Sequence, residues 1–187
     1  MNPSLFPAPP SPTVRPWKLD TYKGDAVLSP CGTYRYSLRR WWGATLDTFV
    51  VIGLNPSTAD ARDDDPTIRR CVDFASAAGC GGLVMLNAYA YRATDPRDLM
   101  LHNYPVGPDN DSFIAATVAH IHVAAVVCAW SDAVPRARED EVIAILRDFD
   151  HVPLVFGLTK GGAPRHPLYL PRSARPRPWA ERIPPAL

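Results

Sequence analysis

Several features that mark common functional classes are missing from this chain of 187 residues. Its four cysteines, Cys31, Cys71, Cys80 and Cys128, do not show the paired spacing of zinc ligands. Cys128 lies within an apolar run, which favours reduced, buried thiols over disulfides and indicates a cytoplasmic protein. There is also no glycine-rich phosphate loop and no nucleophile elbow, so the common signatures of P-loop enzymes and α/β-hydrolases are absent.

Long apolar runs are missing as well. No stretch approaches the length of a membrane span, and the start "MNPSLFPAPPSPTVRPW" lacks the charged and apolar regions of a signal peptide. We therefore expect a protein without a membrane partner, and a monomer is the default. With 47% hydrophobic residues the chain is long enough for one core, so we predict a single domain over residues 17–172.

The two ends of the chain differ in composition from this domain. Residues 1–16 are rich in proline and poor in large hydrophobic residues, which predicts a flexible lead-in. Residues 48–158 hold 8 Lys/Arg and 15 Asp/Glu, whereas residues 159–187 hold 6 Lys/Arg and 1 Asp/Glu. Residues 173–187 therefore form a basic Pro/Arg-rich tail, and two interpretations are open: it contacts phosphates, or it is simply solvated.

The hydrophobic pattern predicts an α/β fold. The stretches "TYRYSLRRWW" and "TLDTFVVIGL" alternate like strands, and we predict that they pair as an N-terminal β-hairpin. Asp65 and Pro66 suit the start of a helix that ends near Gly79. Apolar strands then alternate with helices, which favours a three-layer sandwich with a central, mostly parallel four-stranded sheet flanked by helices.

Polar residues follow each of the four predicted core strands. In sheets of this kind the ligand binds beyond the carboxyl ends of the strands, so we expect these clusters to meet at one rim. The clusters are residues 55–60, 87–92, 130–132 and 159–166.

Two asparagines stand at strand ends. Asn55 precedes Pro56, which stiffens the backbone, so its amide can hold a water or a substrate group, or can simply cap the turn. Asn87 follows "GLVML", where its amide needs partners: it matches the edge of a nucleobase, or it is a core residue bonded to backbone.

A loop with glycines, prolines and cations carries His166. Its imidazole can donate a hydrogen bond to a developing anion, or it is an ordinary exposed histidine. Lys160 and Arg165 in the same loop are either solvated or bind phosphate. Tyr89, Tyr91 and Trp130 supply rings on which a base can stack, although core packing is the commoner use of such rings.

The acidic run at residues 60–65 resembles a metal site at first sight. It lacks the calcium-loop spacing, and carboxylates before a helix are explained by capping, so we predict no metal. Asp60 and Asp63 are candidates to orient a water.

Five stretches together resemble the signature of DUF1643, a family of uncharacterised bacterial and phage proteins, over roughly residues 30–172. The stretches are "VVIGLNPSTADARDDDPTIRRC", "GLVMLNAYAYRATDP", "VGPDND", "VVCAW" and "LTKGGAPRHPLYL". This resemblance implies no activity.

A more distant resemblance connects "VVIGLNP", "GLVMLNAY", "VVCAWS" and "RHPLYL" to motifs of the uracil-DNA glycosylase superfamily. It implies a uracil-DNA-glycosylase-like fold in which Asn55 positions the attacking water, Asn87 reads the base and His166 stabilises the departing base, with no cofactor. The phenylalanine that stacks on the base in that superfamily is missing, and Leu168 replaces its usual serine. The residues expected to contact nucleic acid are Ser57, Thr58, Lys160, Arg165, Pro167, Leu168 and Tyr169.

The sequence therefore predicts a protein that recognises a nucleobase, with DNA favoured over RNA as partner, and a DNA glycosylase acting on a modified pyrimidine as the enzymatic form. Two alternatives are open: a non-catalytic reader of modified or single-stranded nucleic acid, and an enzyme acting on free nucleosides or nucleotides.

Overall fold

The computed structural model describes residues 17–18, 23–43, 45–57, 64–120 and 122–182. The lead-in predicted at 1–16 and the candidate residues Thr58 and Asp60 lie outside the described residues. The strands are β1 (Trp17–Lys18), β2 (Lys23–Leu28), β3 (Arg35–Trp41), β4 (Thr48–Gly53), β5 (Gly82–Asn87), β6 (Val123–Cys128), β7 (Leu154–Val155) and β8 (Arg177–Pro178). The α-helices are α1 (Pro66–Ala77), α2 (Pro96–Leu101), α3 (Asn110–Val118) and α4 (Arg136–Asp148).

The described strands form one mixed sheet in the order β1-β2-β3-β5-β4-β6-β7-β8. The pairs β5·β4, β4·β6 and β6·β7 are parallel, while β1·β2, β2·β3, β3·β5 and β7·β8 are antiparallel. The predicted α/β class with helices on the sheet is confirmed. The sheet is wider than the four strands predicted, because antiparallel strands extend it at both sides.

The predicted hairpin between the strands now called β3 and β4 is wrong. Leu38 of β3 pairs with Ala26 of β2 on one side and with Met85 of β5 on the other. Both edges of β4 are occupied by parallel neighbours, β5 and β6. A strand as apolar as β4 is buried on both faces and requires a central position, so β3 pairs with its other neighbour in sequence, β2.

The two faces of the sheet carry separate cores. Val50 and Ile52 of β4 pack in a cluster with residues of α3 and α4. Phe49 and Val51, which alternate with them, pack in a second cluster with residues of α1. We refer below to the α3/α4 face and the α1 face of the sheet.

Helix α1 begins as the sequence predicts. The Asp65 side chain accepts a hydrogen bond of 2.8 Å from the Ile68 amide, and Pro66 occupies the first turn. Helix α2 was not predicted, because its segment reads as a polar loop. Asp95 caps α2 by accepting from the Arg97 amide, and Pro96 follows it, so this short helix depends on a local start signal rather than on an apolar pattern.

The end of the described chain belongs to the sheet. β8 pairs with β7, and Trp179, at 1% exposure, enters the core of the α3/α4 face. The predicted helix in "AVPRAREDEVIAILRDF" is confirmed as α4. Among the helices in the described ranges, none combines the length and the hydrophobicity that a bilayer crossing requires.

Candidate functional site

The order of the parallel strands locates a crevice. β4 is the first of them in the chain, β5 lies on one side of it, and β6 and β7 lie on the other. In this sheet the connection after β4 runs to β5 and the connection after β6 runs the opposite way to β7, so a gap where ligands bind opens at the carboxyl ends of the adjacent strands β4 and β6. The carboxyl ends of β4, β5 and β6 are therefore the place to look for functional side chains.

Asn87, the last residue of β5, is the most unusual side chain at this rim. It is 3% exposed, and its Nδ2 has no hydrogen-bond partner among the described residues. Leu83 and Met85 of the same strand belong to the core of the α1 face, so alternation puts Asn87 on that face too. An unpaired buried donor costs about 1–3 kcal/mol, a cost that a ligand with an acceptor group removes.

Gly53, the last residue of β4, lies close against the side chain of Asn87. A Cβ built on Gly53 would lie 3.0 Å from Asn87 Oδ1 and 3.9 Å from Met85 Cε. Glycine therefore lets the Asn87 amide approach the backbone of the neighbouring strand. The acceptor of this amide consequently lies beside the end of β4.

Asn55 follows two residues later and connects two loops. Its Nδ2 donates to the carbonyl of Pro56 at 3.1 Å and to the carbonyl of Ala93 at 2.8 Å. The Ala93 amide in turn donates to the Pro56 carbonyl at 3.1 Å. The loops after β4 and β5 are thus fastened together, and the amide nitrogen of Asn55 serves this bracing.

Asp65 is the electrostatic centre of the α1 side of the rim. Its Oδ2 accepts from Ser57 Oγ at 3.0 Å, while its Oδ1 caps α1. Burial lowers the pKa of the Arg35 guanidinium to about 10, and the Asp65 carboxylate opposes that change. Arg35 is fixed from β3 through its amide, which donates to the Ala90 carbonyl at 2.9 Å.

A buried ion pair lies next to this centre. Arg40 Nε donates to Asp64 Oδ1 at 3.0 Å, and the two side chains are 0% and 5% exposed. The pair connects β3 to the segment that leads into α1. Sequence reasoning missed Arg35 and Arg40 because cations in a strand normally predict its solvated face.

His166 belongs to the same region. The segment that carries it packs on α1, where Arg70 Nη2 donates to the Leu170 carbonyl at 3.0 Å. The His166 Nδ1 accepts from the Leu168 amide at 3.3 Å, which assigns the ring proton of the neutral form to Nε2. Burial lowers the pKa of His166 while the Asp65 carboxylate raises it, so the ring is neutral at pH 7.

The structure therefore places Ser57 and His166 near Asp65 at the start of α1, while Asn87 lies at the end of β5 on the same face of the sheet. The loop before His166 is anchored, because Thr159 Oγ1 donates to Asp132 Oδ1 at 2.6 Å and the Ser131 amide donates to the Pro164 carbonyl at 2.7 Å.

The remaining residues predicted to contact nucleic acid lie along this segment. Lys160 and Arg165 are exposed, Pro167 is buried, and the side chains that follow it project outward. Leu168 is 37% exposed and Tyr169 is 75% exposed. Exposed cationic and apolar side chains thus follow one another along this segment.

The three aromatic candidates are not brought together with Asn87. Trp130 packs in the core of the α3/α4 face, where its Nε1 donates to Glu139 Oε2 at 3.1 Å. Tyr89, at 7% exposure, belongs to the same core. Tyr91 stacks on His102, with ring centroids 4.0 Å apart, further along the loop after β5. His102 was missed because a single histidine in a polar loop carries no pattern.

No group of three or more metal-ligating side chains occurs in the part of the chain that the structure describes. All four cysteines are free thiols, and only Cys31 is exposed.

Comparison with known proteins identifies one family. The family model described as "Protein of unknown function (DUF1643)" matches residues 35–168. No curated protein matches the chain. The matched range contains β3 to β7, the start of α1, Asn87 and His166, and ends one residue before the candidate Tyr169.

Proposed function

The chain belongs to the DUF1643 family, whose description assigns no activity, and we propose that it recognises a nucleobase at the rim beyond β4 and β5. The observation that carries this proposal is the buried amide of Asn87 with an unpaired donor. A carboxamide offers one donor side and one acceptor side in a plane, which is the complement of the edge of a pyrimidine.

The surroundings of Asn87 support a flat, polar ligand. Gly53 has no side chain that would displace the amide, and His166 contributes a neutral ring with its proton on Nε2. The Nε2–H of His166 is suited to donate to a carbonyl oxygen of the base. Because the ring is partly withdrawn from water, such a bond is stronger than one on the open surface.

We propose DNA as the carrier of this base. The exposed cations Lys160 and Arg165 precede the exposed side chains of Leu168 and Tyr169 in the same segment, a combination suited to phosphates and unstacked bases. A base that is paired in a duplex has to be flipped out to reach Asn87. The carboxylates before α1 face Arg35 and Arg40, which limits their repulsion of a phosphate backbone.

The enzymatic form of the proposal is hydrolysis of the N-glycosidic bond. In that reaction the bond between sugar and base breaks, its electrons stay on the base, and a water supplies hydroxide to the sugar and a proton to the base. His166 Nε2–H is the group that stabilises the base anion, a role worth about 10²–10³ in rate for one well-placed donor.

Binding is tested with nucleosides of uracil, thymine, cytosine and 5-hydroxymethyluracil. We expect Asn87→Ala to weaken binding by roughly 10- to 100-fold, because the base loses its hydrogen bonds to a buried amide. The matched control is Asn110→Ala, because Asn110 is also a buried amide but donates to the carbonyls of Asn87 and Ala88. Equal losses in the two variants, or no binding of any nucleoside, would contradict the proposal.

Cleavage is tested with oligonucleotides that contain uracil or 5-hydroxymethyluracil, followed by detection of abasic sites. We expect product from the wild type and a loss of about 100-fold or more with His166→Ala. Binding without product over the whole panel would reject the enzymatic form and leave recognition standing.

The bracing role of Asn55 favours a non-catalytic reader as the second candidate. Its Nδ2 is committed to two backbone carbonyls, which leaves Oδ1 as the group for a water. A reader predicts that Asn55→Ala keeps base affinity, with a loss of stability only. For a hydrolase, the same substitution abolishes turnover while binding persists.

A further inference from the structure

A cleft of about 420 Å³ lies next to the candidate site, between the loop after β5 and the end of α2. Its lining residues are Tyr91, Arg92, Ala93, Thr94, Asp98, Leu101 and His102. None of the residues that carry the proposed function in the preceding section lines it. The proposed function therefore does not account for the residues that line the cleft.

The cleft and the Asn87 rim have a common wall. Ala93 lines the cleft, and its carbonyl accepts the 2.8 Å bond from Asn55 Nδ2. The Ala93 amide donates to the Pro56 carbonyl, so the backbone of the cleft is bonded directly to the loop after β4. The cleft and the loop at the end of β4 are thus joined through Ala93 and Asn55.

One side of the cleft is a rigid aromatic surface. The rings of Tyr91 and His102 stack with centroids 4.0 Å apart and planes inclined by 24°. Tyr34 contacts both rings edge-on, at 6.3 Å and 6.0 Å. The Tyr91 amide donates to the Pro105 carbonyl at 3.1 Å, which fixes the two loops against each other.

The other groups of the cleft suit a heterocycle attached to a phosphate. Leu101 at the end of α2 is 82% exposed and so offers apolar surface to a ligand in the cleft. Arg92 donates from Nη1 to the Gly32 carbonyl at 3.2 Å, while its Nε is buried without a hydrogen-bond partner among the described residues. A guanidinium beside stacked rings binds a phosphate and a base together. Asp98 is the only carboxylate among the lining residues.

We infer that this cleft holds the nucleotide adjacent to the one read by Asn87. The substrate is then an unpaired strand of at least two nucleotides rather than a free base or nucleoside. The second base stacks on the surface of Tyr91, His102 and Leu101, and its phosphate meets Arg92. This inference rests on the proposed function, since it needs a first nucleotide at the rim.

The test compares fluorescently labelled dUMP with the dinucleotide and tetranucleotide of deoxyuridine, and repeats the series with thymidine. For the wild type we expect the dinucleotide to bind about 10-fold more tightly than the mononucleotide, because the stacking of one additional base raises the affinity by about that factor. Leu101→Ser and His102→Ala are expected to reduce this ratio toward one. Asp98→Asn is expected to increase it, because a carboxylate that repels the second phosphate is removed.

Matched controls use the same residue types outside the cleft. Leu46→Ser changes a leucine that is 67% exposed, and His122→Ala changes a half-buried histidine before β6. Both should keep the wild-type ratio. A wild-type ratio near one with Asn87-dependent binding of the mononucleotide overturns the inference alone. Absence of Asn87-dependent binding for every ligand overturns the proposed function, and this inference with it.

Discussion

At the residue scale, the site depends on one amide held against one glycine. Asn87 ends β5 with its donor unpaired, and Gly53 ends β4 without a side chain to cover it. The strands pair in parallel with Gly53 opposite Asn87, so the two residues are fixed relative to each other by the ladder. We therefore expect small changes at either residue to alter the proposed recognition before they alter the fold.

Gly53→Ala tests this directly. The added Cβ would stand 3.0 Å from Asn87 Oδ1, closer than ordinary contact, so the amide has to move by a few tenths of an ångström. We expect base affinity to fall by roughly 10-fold, because one hydrogen bond to the base is weakened. Gly157→Ala is the control, since its Cβ would meet nothing nearer than Arg165 Cδ at 3.6 Å. Calorimetric titration of the two variants gives the comparison, and equal affinities would reject the role of Gly53.

His166 adds a dependence of stability on pH. Its pKa is lowered by burial in the folded state, relative to the ordinary value of 6.5. The unfolded chain therefore takes up the proton first as the pH falls. The stability due to the neutral ring is complete above that value and is lost at more acidic pH.

The corresponding measurement is urea unfolding of the wild type and of His166→Gln between pH 5 and 8. We expect the wild type to lose more stability than the variant below about pH 6.5. Parallel pH profiles for the two proteins would show that the ring is not buried in its neutral form.

At the element scale, the start of α1 organises the rim. Asp65 caps the helix, accepts from Ser57 and opposes the effect of burial on the pKa of His166. One carboxylate thus joins the strand end, the helix and the segment that follows β7. Losing the cap and losing the charge have separable effects.

Two substitutions separate them. Asp65→Ala removes both cap and charge, and we expect it to lower the free energy of unfolding by about 1 kcal/mol. Asp65→Asn keeps a capping oxygen, so its stability should stay close to that of the wild type. In both variants NMR titration should find the pKa of His166 lower than in the wild type, because the opposing charge is gone. An unchanged pKa would mean that the two residues do not interact.

Much of this element structure follows from the sequence. The Asp65–Pro66 start of α1 and the apolar cores of β4, β5 and β6 have local signals, and the rim follows from parallel strands. The partner of β3 does not, because strand pairing depends on which edges are free in the assembled sheet. The burial of Trp130 does not follow from the sequence either. Its position after β6 indicates the rim, although its ring enters the core of the α3/α4 face.

At the scale of the whole molecule, the segment after residue 173 completes the core. Trp179 is fully buried, and Arg182 makes ion pairs with Glu139 and Asp140 of α4. Composition alone is typical of a solvated tail for this segment. Within its described part, residues 173–182, Trp179 is the one large apolar side chain among arginines and prolines, too little for a pattern.

Trp179→Ala is expected to lower the free energy of unfolding by about 3–5 kcal/mol, the cost of removing a large buried ring. The control is Trp41→Ala, since Trp41 is 38% exposed and loses less buried area. Chemical unfolding of the two variants measures the difference. A small effect at Trp179 would mean that the segment is not part of the folded core.

The distribution of charge predicts how nucleic acid binding responds to salt. If Lys160 and Arg165 each meet a phosphate of a single strand, replacing either by alanine reduces the slope of log affinity against log salt by about 0.7. Lys23→Ala is the control, because Lys23 pairs with Trp41 at the opposite end of the sheet from the rim. Titrations at several salt concentrations give the slopes, and an unchanged slope for both variants would remove this surface from the interface.

The edge strand β8, which lies next to β7, affects how molecules associate with one another. β8 carries Pro178 opposite Leu154, and a proline has no amide hydrogen to donate to a strand of another molecule. Exposed Arg177 stands beside it and adds charge repulsion between like molecules. The margin of the sheet formed by β8 is thereby a poor template for intermolecular β-pairing, which protects the protein from aggregation at that margin.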